Sequence, residues 1–180
     1  MKTFKHTLLS TCLTALIFGS VSHAAEEESA PSKPPKAYIG QLPDNDKLKV
    51  LAEHKVIARF QEVKFRRCMG RTGNCPDRCG NSGEFANFKI TDYLHYKKLG
   101  KYGDDKYTTY SVQVTDFDRN PKGDPELGAY IKTLKPGDLV VIEWKHLYGA
   151  VRPGGHSPVR PLLLLKKIDK AEAKRLIEAK

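Results

Sequence analysis

Residues Glu84 to Tyr96 alternate between two chemistries, and this alternation decides the fold class. Ala86, Phe88, Ile90 and Leu94 form one set; Asn87, Lys89, Thr91 and His95 form the other. A period of two puts one face of a β-strand into a core and the other into water. The pattern recurs along the chain. From Lys55 to Arg67, Val56, Ala58 and Phe60 keep one phase, and Val63 and Phe65 keep the opposite one. The phase change near Gln61-Glu62 predicts a β-bulge. In Tyr107 to Phe117, Tyr110, Val112 and Val114 face inward and Ser111, Gln113 and Thr115 outward. Asp138 to Tyr148 sets Val140, Ile142 and Trp144 on one face, and Pro161 to Ile168 is expected as a fifth strand.

Helix signals sit between and around these strands. Asp124 is placed to cap a helix, Pro125 suits its first position, and Glu126 complements its positive end. Leu127, Tyr130, Ile131 and Leu134 recur at helical spacing before Lys135-Pro136-Gly137 ends the run. Asp169 is expected to cap a last helix carrying Ala173, Leu176 and Ile177. A short helix is also expected over Asp44 to Glu53, with Leu48 and Leu51 on one side, and a Gly/Pro loop over Val151 to Pro158.

The first residues read as an export signal. Lys2 and Lys5 precede an apolar run from Leu8 to Phe18, and Ser22-His23-Ala24 offers small residues for cleavage near Ala24. The run is shorter than the roughly 20 residues of a membrane span. The expected location is therefore periplasmic or secreted. Residues 25–37, with Glu26-Glu27-Glu28 and Pro31, Pro34 and Pro35, have the composition of a disordered linker. Residues 38–180 are expected as one domain with helical extensions at both ends. The formal charge of +10 falls to +8 once the leader, which carries two lysines and no acid, is removed. That surplus favours acidic partners: an anionic glycan, a lipid head group or an acidic envelope protein, with the protein at most peripheral to a membrane. Export argues against nucleic acid as the natural ligand.

The domain's elements run β-β-β-α-β-β, with a bulged first strand and a helix between the third and fourth. In this order the chain, from about Lys55 to Ile168, resembles OB-fold barrel proteins of the exported bacterial type. The resemblance rests on element order. It implies an all-β, five-stranded barrel with one or two helices, whose first loop borders a ligand face.

Cys68, Cys75 and Cys79 fall in that loop, six and then three residues apart. An exported domain pairs its thiols, and three is odd. The expected arrangement is a Cys68–Cys79 disulfide, with Cys75 left over or as the alternative partner; such a cross-link is worth about 3 kcal/mol. The alternative is a zinc or copper site using Cys68, Cys75, Cys79 and His95. Arg66, Arg67, Arg71 and Arg78 make the loop basic. Tyr93, Tyr96 and Tyr110, with Lys98 among them, form a basic-aromatic stretch suited to stacking on a ring, although alternation assigns about half of such rings to packing. No Gly-x-Ser-x-Gly, P-loop or His-Glu-x-x-His motif is present. The function expected from these residues is an exported, non-enzymatic module that binds an anionic ligand or envelope partner, without a cofactor. A metal-binding protein and a structural envelope component are the alternatives.

Overall fold

The structure is a computed structural model that describes residues 37–43, 47–68, 80–152 and 155–180. It is mostly antiparallel sheet with two helices. The strands are β1 (Tyr38–Ile39), β2 (Leu48–Arg66), β3 (Gly83–Lys98), β4 (Thr109–Gln113), β5 (Leu139–Arg152), β6 (Gly155–Val159) and β7 (Leu162–Ile168); α1 spans Pro125–Ile131 and α2 Lys170–Glu178. The sheet order is β1-β7-β5-β2-β3-β4, with β6 paired to β5. Seven strands replace the expected five, and no ladder joins β4 to β1 or β7 among the described residues, so the sheet is not closed.

The core follows from residues with both sides buried. Val56, Ala58 and Phe60 of β2 pack with Ala86, Phe88, Val140, Ile142, Trp144 and Leu165, and α1 adds Leu127, Tyr130 and Ile131. On the other side of the sheet, Ile57 and Val141 meet Ile168 and Ala173, with Leu94, Leu164 and Leu176 packed against them. Thus α2 covers the back of the sheet while α1 fills the front. Both helices carry the caps their sequences announce. Asp124 accepts the Glu126 N–H at 2.9 Å, and Asp169 accepts the Glu172 N–H at 2.7 Å. Tyr130 ties α1 to β7 by accepting the Lys167 N–H at 2.7 Å.

Several expectations are corrected. Leu48 to Glu53 belongs to β2, not to a helix, because this segment is hydrogen-bonded to β5 from Leu48 onward and to β3 from Ala52 onward. Ladder partners on both sides outweigh a weak local helical pattern. Of the Gly/Pro loop expected over Val151 to Pro158, Val151 and Arg152 end β5, and residues 155–158 belong to β6, which folds back on β5. Leu94 faces α2, away from Ala86 and Phe88. The reason is the register shift of β3 against β2 opposite Ile57/Ala58, which falls between Ile90 and Asp92 and reverses the alternation before Leu94; the shift opposite Lys55/Val56 then restores it. The bulge expected at Gln61 is present, between Phe60 and Glu62. The leader, the linker, Asp44 to Asp46, Arg71, Cys75, Arg78 and Cys79 lie outside the described residues.

Gly83 opens β3 at φ +148°, where a Cβ would overlap the Thr115 carbonyl oxygen; Gly128 in α1 has open space around it. Gly83→Ala should therefore cost about 2 kcal/mol or more, whereas Gly128→Ala should stabilise by up to about 1 kcal/mol. Urea midpoints of the two variants should move in opposite directions.

Candidate functional site

A second bulge in β2 builds the site. The β2–β5 register slips between Val50 and Ala52, which leaves the Leu51 carbonyl outside the ladder. That oxygen accepts the N–H groups of Leu99 at 2.8 Å and Gly100 at 3.2 Å. The β3–β4 connection, residues 99–108, is thereby docked on the start of β2. Gly103 is buried against the same carbonyl, where a Cβ would collide with it. The docked loop carries Tyr102, Asp104 and Tyr107.

From the other side, β5 changes partner. It pairs with β7 up to Trp144 and with β6 from Leu147. Arg160, between β6 and β7, is brought across from His146 at this change. Its Nε and Nη2 donate to Asp104 Oδ2 at 2.7 Å and Oδ1 at 2.8 Å. The Asp104 side chain is 8% exposed. Burial alone would raise its carboxyl; the hydrogen bonds and charge of Arg160, with Tyr107 and His146, hold it below the usual carboxylate range.

His146 completes the cluster. Its Nδ1 accepts the Asp104 backbone N–H at 3.2 Å and lies 3.1 Å from Asp104 Oδ1. The first contact needs an unprotonated Nδ1 and the second a protonated one, so they are alternatives. The Asp104 N–H is aimed at Nδ1, which puts the ring proton on Nε2 and makes the first contact the one formed. Burial lowers the His146 pKa against the opposing pull of Asp104 and favours this neutral ring.

Leu51, Tyr102, Asp104, His146, Tyr148, Pro158 and Arg160 line a cavity of about 510 Å³. Tyr102 is 78% exposed and Tyr148 44%. Cations stand beside both rings. Lys101 Nζ is 5.8 Å from the Tyr102 ring centre, and Lys49 lies directly opposite Tyr148 in the β2–β5 ladder. Asp105, the neighbouring acid, is paired with Lys98 at 2.7 Å. The rim is therefore basic and aromatic, above a floor where one arginine and one aspartate cancel.

Behind this floor is a buried aromatic cluster. His54 is 1% exposed and stacks on Trp144 at 4.4 Å between ring centres and on Tyr107 at 6.0 Å. Tyr96 and Tyr93 pack around it at 5.2 and 6.2 Å. Among the described residues neither nitrogen of His54 has a hydrogen-bond partner. Burial lowers its pKa first, with His146 and Arg160 adding to the effect and Asp104 opposing it.

The sequence-derived candidates do not converge here as one face. Tyr93 and Tyr96 are turned toward His54, and their hydroxyls hold the loop: Tyr93 accepts the Tyr107 N–H at 2.6 Å and Tyr96 donates to the Asp104 carbonyl at 3.1 Å. Tyr110 packs on Trp144 at 4.7 Å, and burial pushes its hydroxyl far above the ordinary value. These three rings serve packing; the exposed rings lining the cavity are Tyr102 and Tyr148.

Arg66 and Arg67 lie at the opposite end of the sheet, because Arg66 pairs with Gly83 whereas the cavity end pairs Ala52 with Lys98. The fourteen residue steps from Ala52 to Arg66 span roughly 45 Å along the strand path. Arg66 lies over the Phe85 ring at 3.6 Å and Arg67 over Phe117 at 5.6 Å. Cys68 is at that end too, its N–H donating to Ser82 Oγ at 2.9 Å. His95 is remote from Cys68, opposite Lys55 and 3.6 Å from Glu53. Among the described residues no group of three or more His, Cys, Asp or Glu is placed to hold a metal ion. Asp104 and Arg160 were not singled out in the sequence; the one local signal was the Gly100-Lys-Tyr-Gly-Asp104 turn. No family model, curated protein or solved structure matches the chain.

Both buried histidines are held neutral in the fold, so their stabilising contribution is complete above about 6.5 and is lost as pH falls toward their lowered folded values. Asp104 adds a further loss at lower pH, below the ordinary carboxylate value. Urea stability measured across this range should fall from about pH 7 downward. Arg160→Ala, which strands a buried carboxylate, should cost about 2 kcal/mol at neutral pH, the arginine's partial exposure moderating the loss.

Proposed function

We propose that this protein is an exported, non-enzymatic binding module with an OB-like barrel, and that it holds an acidic saccharide in the cavity between the 99–108 loop and the β5–β6 hairpin. The strand pairings support the barrel reading. The five strands expected from the sequence correspond to β2, β3, β4, β5 and β7. The first pairs with the second and fourth, the second with the third, and the fourth with the fifth. OB barrels are partly open, and α1 contributes to the core inside this arrangement.

The observation that carries the ligand assignment is the pair of exposed rings, Tyr102 and Tyr148, on one cavity with cations beside both. Exposed aromatic faces suit the apolar face of a sugar ring. The polar floor offers hydroxyl-directed hydrogen bonds, and Lys49, Lys101 and the solvent side of Arg160 suit a carboxylate. This shifts the anion-binding role from the arginines near the cysteine segment to the other end of the sheet. Titrating the mature protein with an oligogalacturonate should show binding that Tyr102→Ala and Tyr148→Ala each weaken about five- to tenfold. Arg66→Ala with Arg67→Ala should leave it close to wild type. The converse pattern, with the tyrosine variants unchanged and the arginine variant weakened, would move the site to the cysteine end.

The cysteine segment belongs to the same proposal as a cross-link between Cys68 and Cys79 that holds the first loop in shape. Natively exported protein should begin near Ala25, weigh two hydrogens less than its reduced form and carry no metal. Three reduced thiols with bound zinc or copper would replace this reading with the metal-binding one.

A further inference from the structure

We propose that His146 is a proton-operated latch on the 99–108 loop, so that acidification opens the cavity wall and releases the ligand. This rests on the reading of the cavity as the binding site, although the latch itself stands on contacts within the protein.

Besides the Asp104–Arg160 ion pair, the loop is fastened to the sheet at three kinds of point. Leu51 accepts Leu99 and Gly100 at one end. Tyr93 and Tyr96 hold Tyr107 and the Asp104 carbonyl. In the middle, the Asp104 N–H is held by His146 Nδ1. A proton on Nδ1 abolishes this third fastening, because two N–H groups then point at each other 3.2 Å apart. The new N–H can turn only to Asp104 Oδ1, which already accepts Arg160 Nη2 at 2.8 Å. Protonation thus strips the backbone of its acceptor and crowds a third donor onto the carboxylate.

Each element facing His146 bears on the direction. Asp104 on the loop favours the proton; burial, the largest influence, and Arg160, between β6 and β7, both oppose it and prevail. His54 on β2, in the aromatic cluster behind, is itself held neutral, and Tyr107 stacks on it. A closed loop therefore binds fewer protons than an open one in which His146 meets water. Linkage then requires acid to favour the open form. Tyr102 travels with the loop, so opening removes one wall of the cavity.

Protection of the Gly103 and Asp104 amides from hydrogen exchange reads the latch without any ligand. Between about pH 7.5 and about pH 5, wild-type protection should fall, with a limit of about tenfold per pH unit for one proton. Affinity for oligogalacturonate should fall in parallel. His146→Gln, whose amide oxygen can accept the Asp104 N–H but cannot titrate, should hold protection flat over the same range. His54→Phe, which keeps the ring stack and removes the other buried imidazole, should retain the wild-type pH dependence. Loss of the dependence in His54→Phe, or its persistence in His146→Gln, overturns the proposal. Should His146→Gln fail to fold, amide protection in wild type that is level from neutral to acid pH overturns it equally. If oligogalacturonate does not bind at any pH while amide protection still titrates through His146, the latch stands and the saccharide reading falls.

Discussion

The structure depends on one strand being hydrogen-bonded along both edges. β2 runs for 19 residues and pairs with β5 over its first part and β3 over nearly all of it. Where both partners are present, from Ala52 to Arg59, every backbone polar group has a ladder neighbour available, and side chains on both faces can be buried at no hydrogen-bonding cost. That is where Val56, Ile57 and Ala58 lie, all at 1% exposure or less. Past Phe60 only β3 remains, and residues 61–66 are exposed. The cavity therefore forms at one end of this strand, where β5 and the docked 99–108 loop flank it, while the other end, at Arg66, is paired with β3 alone.

Irregularities in this strand do the positioning. The bulge at Leu51 converts a ladder carbonyl into an anchor for the 99–108 loop. The bulge at Gln61 lets Phe60 exchange hydrogen bonds with the α1–β5 turn, its N–H donating to Asp138 and its carbonyl accepting from Gly137, both at 2.9 Å. The shift in β3 opposite Ile57/Ala58 turns Leu94 to the back face beneath α2. A β-bulge redirects a strand at a small local cost, and here each one points a group toward something outside the sheet.

Much of the scaffold was legible because its signals are local. Asp124 and Asp169 cap helices through bonds two and three residues ahead, so the capping residue and its target are adjacent in sequence. The alternation of Val140, Ile142 and Trp144 needs only the period of a strand. The slip at Gln61-Glu62 left its trace as a phase change, since both phases carried large apolar residues. The slip at Leu51 left none: Leu48, Val50 and Leu51 read as well on a helix as on a bulged strand, and only pairing with β5 decides between them.

The site was legible only in its ingredients. Tyrosines, lysines and a turn-rich stretch were visible near residues 93–110, but which rings would be exposed was not. Tyr93 and Tyr102 differ little as sequence; one lies on a strand whose inner face meets His54 and the other on a loop that reaches past the sheet.

By itself, then, the sequence determined five of the strands, both helices with their caps and most of the apolar faces, because each depends on residues a few positions apart. Tertiary structure decided which residues meet: Asp104 with Arg160, 56 positions away, and with His146, 42 positions away. Those pairs exist only because β5 changes partners at one end of the sheet and β2 bulges beside it. No local pattern records such an event, since its free energy comes from ladders that form only when distant strands have found one another.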